Sequence, residues 1–248
     1  MSDVHTTTIQ ANIAAVRKNI EAACQRVGRK ASEVTLVAVS KQHPSEDILA
    51  AYEAGILHFG ENRVEEAQPK IKALQTKLST SITWHMIGHV QSRKAREVAY
   101  YFDVIHSLDR LKLVARLDGF AHEQNRILQA YIQVNVSGEA TKYGLEASHW
   151  EHSPTQRNTL WEFVNQLKQF TSIKTIGLMT MAPYEAEPEA TRPVFAATRK
   201  LRDALAHDFP TLVWDHLSMG MTNDYTVAIE EGATLVRVGR AIFGERTY

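Results

Sequence analysis

Apolar residues near the start of the chain recur at helical spacing. Ile9, Ile13, Val16 and Ile20, with Arg17 and Lys18 between them and Glu21 after them, predict an amphipathic N-terminal helix. After residue 33 the pattern changes to short, nearly continuous apolar runs separated by amphipathic stretches. The runs predict strands over 34–40, 56–59, 82–87, 104–106, 127–136, 173–179, 212–216 and 234–238. Helices are predicted over 45–54, through Ile71 and Leu78, then over 92–100, 108–122, 160–170, 189–207 and 225–230. Strands without polar alternation are expected where a parallel sheet is covered on both faces. Eight of them alternating with helices in 248 residues predict a single (β/α)8 TIM barrel, an α/β fold, with an extra N-terminal helix. No Pro/Gly linker or shift in composition divides the chain, so residues 1–248 are expected to form one domain. The conspicuous insertion is 146–155, EASHWEHSPT.

Charge narrows the function classes. Lys+Arg and Asp+Glu are equal at 28 each, which gives no electrostatic reason to expect nucleic acid or an anionic membrane as partner. A small ligand is the better expectation. Cys24 is the lone cysteine, which excludes an intrachain disulfide and a Cys-rich zinc site and fits a reducing cytoplasm. The opening MSDVHTTTIQ has no basic stretch followed by an apolar one, and no apolar run has the length of a membrane span. A cytoplasmic enzyme-like protein is expected.

The first strand, VTLVAVS, ends on Lys41. In a TIM barrel the site lies at the C-terminal ends of the strands. A lysine there enters the mouth, where apolar surroundings favour the neutral amine that forms a Schiff base with an aldehyde. The alternative is a lysine that begins a surface loop. At the far end, LSMGMTND and VRVGRAIFG leave the last two strands, the usual phosphate cradle of this fold. Ser218 has a hydroxyl to donate, Gly220 and Gly239 permit close backbone approach, and Arg240 adds a charged donor. Arg237 lies inside the apolar run TLVRV and needs a partner. That partner is either a carboxylate such as Asp215 or Glu61, or the ring nitrogen of a pyridine cofactor whose aldehyde reaches Lys41. Histidines 58, 85, 106 and 216 end several strands and raise the alternative of a metal-dependent hydrolase. The chain has neither HxH on the first strand nor HExxH, so interior or rim histidines bonded to their neighbours are expected. The same expectation covers His149 and His152 of the insertion, which are read as incidental.

In order along the chain, VAVSKQHP, HFGENRVEEA, WHMIGHVQSRK, SGEATKYGL, GLMTMAP, LSMGMTNDY and VRVGRAIFG resemble the pyridoxal-phosphate homeostasis proteins. These are single-barrel relatives of the N-terminal domain of alanine racemase, and the resemblance runs from about Ile9 to Gly244. It implies a barrel holding pyridoxal 5′-phosphate (PLP) as an internal aldimine on Lys41. It also implies that Ser218, Gly239 and Arg240 hold the phosphate, that Arg237 faces the pyridine nitrogen, and that Asn62 lies beside the cofactor. Many members carry threonine or serine where this chain has Arg240, which leaves its backbone N–H as the contact carried over. An arginine against the ring nitrogen keeps it unprotonated and weakens the ring as an electron sink. Racemase relatives also use a tyrosine from a C-terminal β-domain, whereas this chain stops at Tyr248. The expected function is therefore a carrier or regulator in PLP homeostasis without strong turnover, with a low-activity amino-acid racemase as the alternative. Apo-PLP enzymes are the candidate recipients, a monomer is expected, and Lys142 is either a second contact at the mouth or a surface lysine.

Overall fold

The computed structural model describes residues 2–78, 82–184 and 187–244. The N-terminal helix α1 spans Ser2–Arg26, longer at both ends than its apolar stripe predicts. The barrel strands follow in the order β1 (Thr35–Val39), β2 (His58–Glu61), β3 (Thr83–Met86), β4 (Val104–Leu108) and β5 (Leu128–Asn135). A two-residue strand β6 (Leu145–Glu146) comes next, then β7 (Ile173–Met179), β8 (His216–Met221) and β9 (Leu235–Val238). The connecting helices are α2 (Ser45–Glu53), α3 (Val64–Leu74), α4 (Ala95–Tyr101), α5 (Leu111–Glu123), α6 (Pro154–Leu167), α7 (Arg192–Asp208) and α8 (Tyr225–Glu230), and the short α9 (Arg240–Phe243) follows β9.

All pairings are parallel, and the sheet closes on itself. β4 pairs with both β3 and β5, and β9 pairs with both β8 and β1, so eight strands make the barrel and β6 adds to β5 alone. The TIM barrel read from the sequence is the fold observed. Its core has two layers. Val37, Val104, Tyr131, Ile176, Met179 and Leu235 cluster inside the barrel, while a larger cluster fills the space between the strands and the helices. Helix α1 buries Ile9, Ile13, Val16 and Ile20 in that outer layer, each contributing about 1.5–3 kcal/mol relative to exposure. The Asn12 amide donates to Ile242 O at 2.9 Å, which ties α1 to α9.

One local reading is corrected. The strand expected over 212–216 begins only at His216 and runs to Met221. The apolar run before it serves the exit of α7: Trp214 is buried and its indole donates to Phe209 O at 3.1 Å, and Leu212 N closes a turn onto the same carbonyl. Ser218 therefore sits within a strand rather than beyond one. The stretch 146–155 is an integral connection, since Glu146 pairs with Asn135, Ala147 and Trp150 are buried, and Trp150 stacks on Trp161 at 6.0 Å. Ser153 then caps α6 by accepting from Gln156 N, with Pro154 in the first turn. Among the described residues no helix is long and apolar enough to cross a membrane.

Candidate functional site at the C-terminal mouth of the barrel

Lys41 lies two residues beyond β1, at the mouth. Ser40 N donates to Gly60 O at 3.0 Å, and His43 N closes a turn onto Ser40 O at 3.1 Å, with Lys41 and Gln42 at its central positions. Gln42 has φ 65°, the left-handed value that a type II turn requires at that place and that glycine or asparagine usually fills. A glutamine there carries strain of about 1–3 kcal/mol, which surrounding contacts must overcome. Asn62 leaves β2 next door. Val39 pairs with Gly60, and continuing that register puts Lys41 and Asn62 at the same level of the rim.

Arg237 projects from β9 on the same face as Leu235, into the barrel. One of its terminal nitrogens donates to the Ser218 hydroxyl, and the other donates to Thr180 O at 2.9 Å. Neither carboxylate considered from the sequence is its partner. Glu61 points outward, where it accepts from Ser40 and Lys70, and Asp215 is exposed on the approach to β8. β2 turns His58 and Gly60 inward, so its alternation excludes Glu61 from the interior. Burial draws the Arg237 guanidinium down to about 10, with Asp224 and then Tyr131 opposing the shift. It remains a cation at neutral pH and can only donate.

The glycine-bearing loops meet this group. A side chain at Gly239 would lie 3.3 Å from Val39 O, so the start of α9 rests directly against the strand end that carries Lys41. At Gly220, where φ is +93°, an added Cβ would sit 2.6 Å from the Ala228 methyl. The close approach there is made by α8, which fixes the β8 exit. The Arg240 guanidinium reaches Asn223 Oδ1 at 3.2 Å and so links the two loops. Lys142 donates to Ala182 O at 2.6 Å and thus bridges from the loop after β5 to the loop after β7. The structure therefore joins Arg237 to Ser218 by a hydrogen bond, sets Gly239 against the end of β1 and ties Arg240 to the loop after β8. Asn62 joins them through its place on the rim.

The sequence did not reveal that the histidines form one chain. His58 Nδ1 meets His85 Nε2 at 3.0 Å, His85 Nδ1 meets His106 Nε2 at 2.9 Å, and His106 Nδ1 meets Ser218 Oγ at 2.9 Å. The line runs across the interior and ends on the hydroxyl that Arg237 also touches. Alternation along adjacent strands was the available signal, since β2, β3 and β4 each contribute one ring, stepped by two residues from strand to strand. The expectation of interior histidines bonded to their neighbours holds for these three. His216 is exposed and meets Thr234 Oγ1 at 3.3 Å. Among the described residues no group of three or more His, Cys, Asp or Glu side chains is arranged to hold a metal ion.

Burial lowers all three rings. His85 falls to about 3, and His106 is held well below the usual value by burial, then by His85 and Arg237. The two fully buried rings, His85 and His106, are neutral in the folded protein. In the unfolded chain each takes up a proton near pH 6.5, so the unfolded state binds more protons below that pH and stability falls with falling pH. Between about pH 6 and pH 4 the expected loss is about 1.4 kcal/mol per pH unit for each buried ring. Denaturant titrations at several pH values check this: the slope should shrink in His106→Gln, and an unchanged slope would contradict the neutral chain.

Residues 11–247 match the family model described as alanine racemase, N-terminal domain. The chain is 42% identical over 242 residues to the pyridoxal phosphate homeostasis protein of Vibrio cholerae, covering 97% of this chain and 98% of the relative. It is 40% identical over 233 residues to the protein of the same name from Aquifex aeolicus, covering 94% and 96%. The structure of PipY from Synechococcus elongatus with PLP bound superimposes with a TM-score of 0.81 at 36% identity, over 95% of this chain and 100% of that one. Alanine racemase of Clostridium difficile shares the fold at 12% identity, with a TM-score of 0.70 over 98% of this chain and 60% of the racemase. The chain therefore belongs to the pyridoxal phosphate homeostasis proteins, a family built on the alanine racemase N-terminal domain.

Proposed function

We propose that this protein binds PLP as an internal aldimine on Lys41 and acts in homeostasis of the cofactor as a carrier, without strong turnover. The observation that carries the reading is the buried Arg237, a cation held inside the barrel by a hydroxyl and a carbonyl and, among the described residues, by no carboxylate hydrogen bond. Such a donor suits a neutral ring nitrogen. The donor set fits the cofactor at its three handles: an amine at Lys41, the Arg237 guanidinium, and Ser218 with the backbone of Gly239 and Arg240 at a helix start. Asn62 lies beside the cofactor in this arrangement. The homeostasis name of the Vibrio and Aquifex relatives and the PLP in the Synechococcus structure support the same reading.

When bound, the cofactor supplies an electrophilic aldehyde and a ring that stores electrons once its nitrogen is protonated. Arg237 has no acceptor and keeps its proton at neutral pH, so it withholds that protonation. The Lys41 amine would hold the aldehyde end by supplying the lone pair for a covalent link, with the aldehyde oxygen lost as water. In this reading the protein works as a cytoplasmic monomer and hands PLP to apo-enzymes, with no nucleic acid or membrane as partner. Titration with PLP should give a visible absorption band that borohydride abolishes. Incubation of the loaded protein with single L-amino acids should then leave the D-isomer at trace levels. Formation of the D-isomer at ordinary enzymatic rates would establish the racemase alternative and overturn the carrier.

A further inference from the structure

The turn that presents Lys41 is gripped from outside the barrel by a buried polar cluster. Lys70, on α3, donates to Ser40 O at 2.9 Å, to Glu61 Oε1 at 2.9 Å and to Glu66 Oε1 at 2.7 Å. An ammonium has three protons, and these three acceptors use all of them. The Ser40 hydroxyl adds a bond to Glu61 Oε1 at 2.8 Å, and the Gln42 amide donates to Glu66 Oε1. The cluster therefore holds the carbonyl immediately before Lys41 and the amide immediately after it.

Stability alone does not account for this arrangement. Buried ion pairs are often no better for folding than apolar residues of similar volume. Here the second oxygen of Glu61 is buried without a hydrogen-bond partner. Burial pushes the Glu61 carboxyl up, with Lys70 opposing. Burial also disfavours charge on Glu66, but the bonds from Lys70 and from the Gln42 amide outweigh it and hold that carboxyl below its usual range. What the cluster does accomplish is to enforce a left-handed glutamine next to the lysine.

We infer that Lys70, together with Glu66, is a positioning residue for Lys41: it fixes the strained turn so that the amine is held toward the mouth of the barrel. The inference rests on the reading of Lys41 as the lysine that carries the cofactor. Its test uses the full chain, PLP as the probe, and two variants, Lys70→Met and Glu66→Ala. Lys41 should be labelled in both, but the visible band and the borohydride-trapped adduct should form about tenfold more slowly, equivalent to about 1.4 kcal/mol in the barrier. In the absence of PLP, the Gln42 and His43 amides should exchange with deuterium faster in both variants. Glycine adopts positive φ without strain, so adding Gln42→Gly to Lys70→Met should restore most of the trapping rate. A purely structural cluster would lower the melting temperature and leave the trapping rate and the glycine rescue unmoved. Unchanged trapping in the folded variants, or no rescue by Gln42→Gly, overturns the positioning role. If Lys70→Met does not fold, Glu66→Ala decides the question, since its side chain is 29% exposed. Labelling of the unmodified protein at another lysine refutes the reading of Lys41 and the inference with it, whereas normal wild-type labelling with unchanged variants refutes the inference alone.

Discussion

Replacing Arg237 with methionine should leave the cofactor-free protein within about 1 kcal/mol of its original stability, because apolar substitutes for a buried charge are often neutral or stabilising. The same change should weaken PLP binding about 10- to 100-fold, the range expected for a lost hydrogen bond from a charged donor. Two effects oppose each other in the empty protein. Thr180 O loses its Arg237 donor, while Ser218 keeps its contact with His106. Against this, a guanidinium whose proton affinity is already drawn down by burial no longer has to be desolvated. A structural strut behaves otherwise, since its removal costs about 3–5 kcal/mol. Denaturant unfolding of the empty protein and a PLP titration separate the two. Arg237→Glu probes the chemistry, because a carboxyl in that place lets the ring nitrogen hold a proton. The expected result is faster side reaction with amino acids; unchanged spectra and reactivity would leave Arg237 a merely structural role.

Lys41→Ala has the largest expected effect on the bound state. The covalent adduct should vanish, while Ser218, Gly239 and the Arg240 backbone retain a fraction of non-covalent binding. Folding should change by no more than about 0.5 kcal/mol, as for half-exposed residues outside the core. Borohydride trapping and thermal melting of the same preparations check both halves. A persistent label would place the chemistry on another lysine. Lys142, which bridges the loops after β5 and β7, is the alternative to check before Lys70, whose three protons are committed to Ser40, Glu61 and Glu66.

The barrel was legible because burial on both faces imposes continuous apolar runs, and β7 was read to the residue. The strand at 212–216 was misplaced because Leu212 and Trp214 are apolar for a tertiary reason, the packing of the α7 exit. Ser218, Arg237, Gly239 and Arg240 were singled out by their order along the last two strands; the structure bonds Arg237 to Ser218, packs Gly239 against the end of β1 and joins Arg240 to Asn223. Arg237 was correctly read as needing a partner, but strand alternation, which turns Glu61 outward, was not applied to the choice. The histidine chain and the Lys70 cluster were invisible for a different reason. The first depends on the stagger between neighbouring strands, and the second on how α3 packs against the ends of β1 and β2. Within one element only the spacing of Glu66 and Lys70, one turn apart on α3, gave a local hint.

The central claim is the covalent attachment of PLP to the lysine at the end of β1. Peptide mapping by mass spectrometry after loading with PLP and reduction with borohydride tests it most directly. The account predicts one reduced pyridoxyl phosphate adduct per chain, on the peptide containing Lys41. An adduct on Lys142 or any other lysine, or a protein that takes up PLP without a reducible bond, would contradict it.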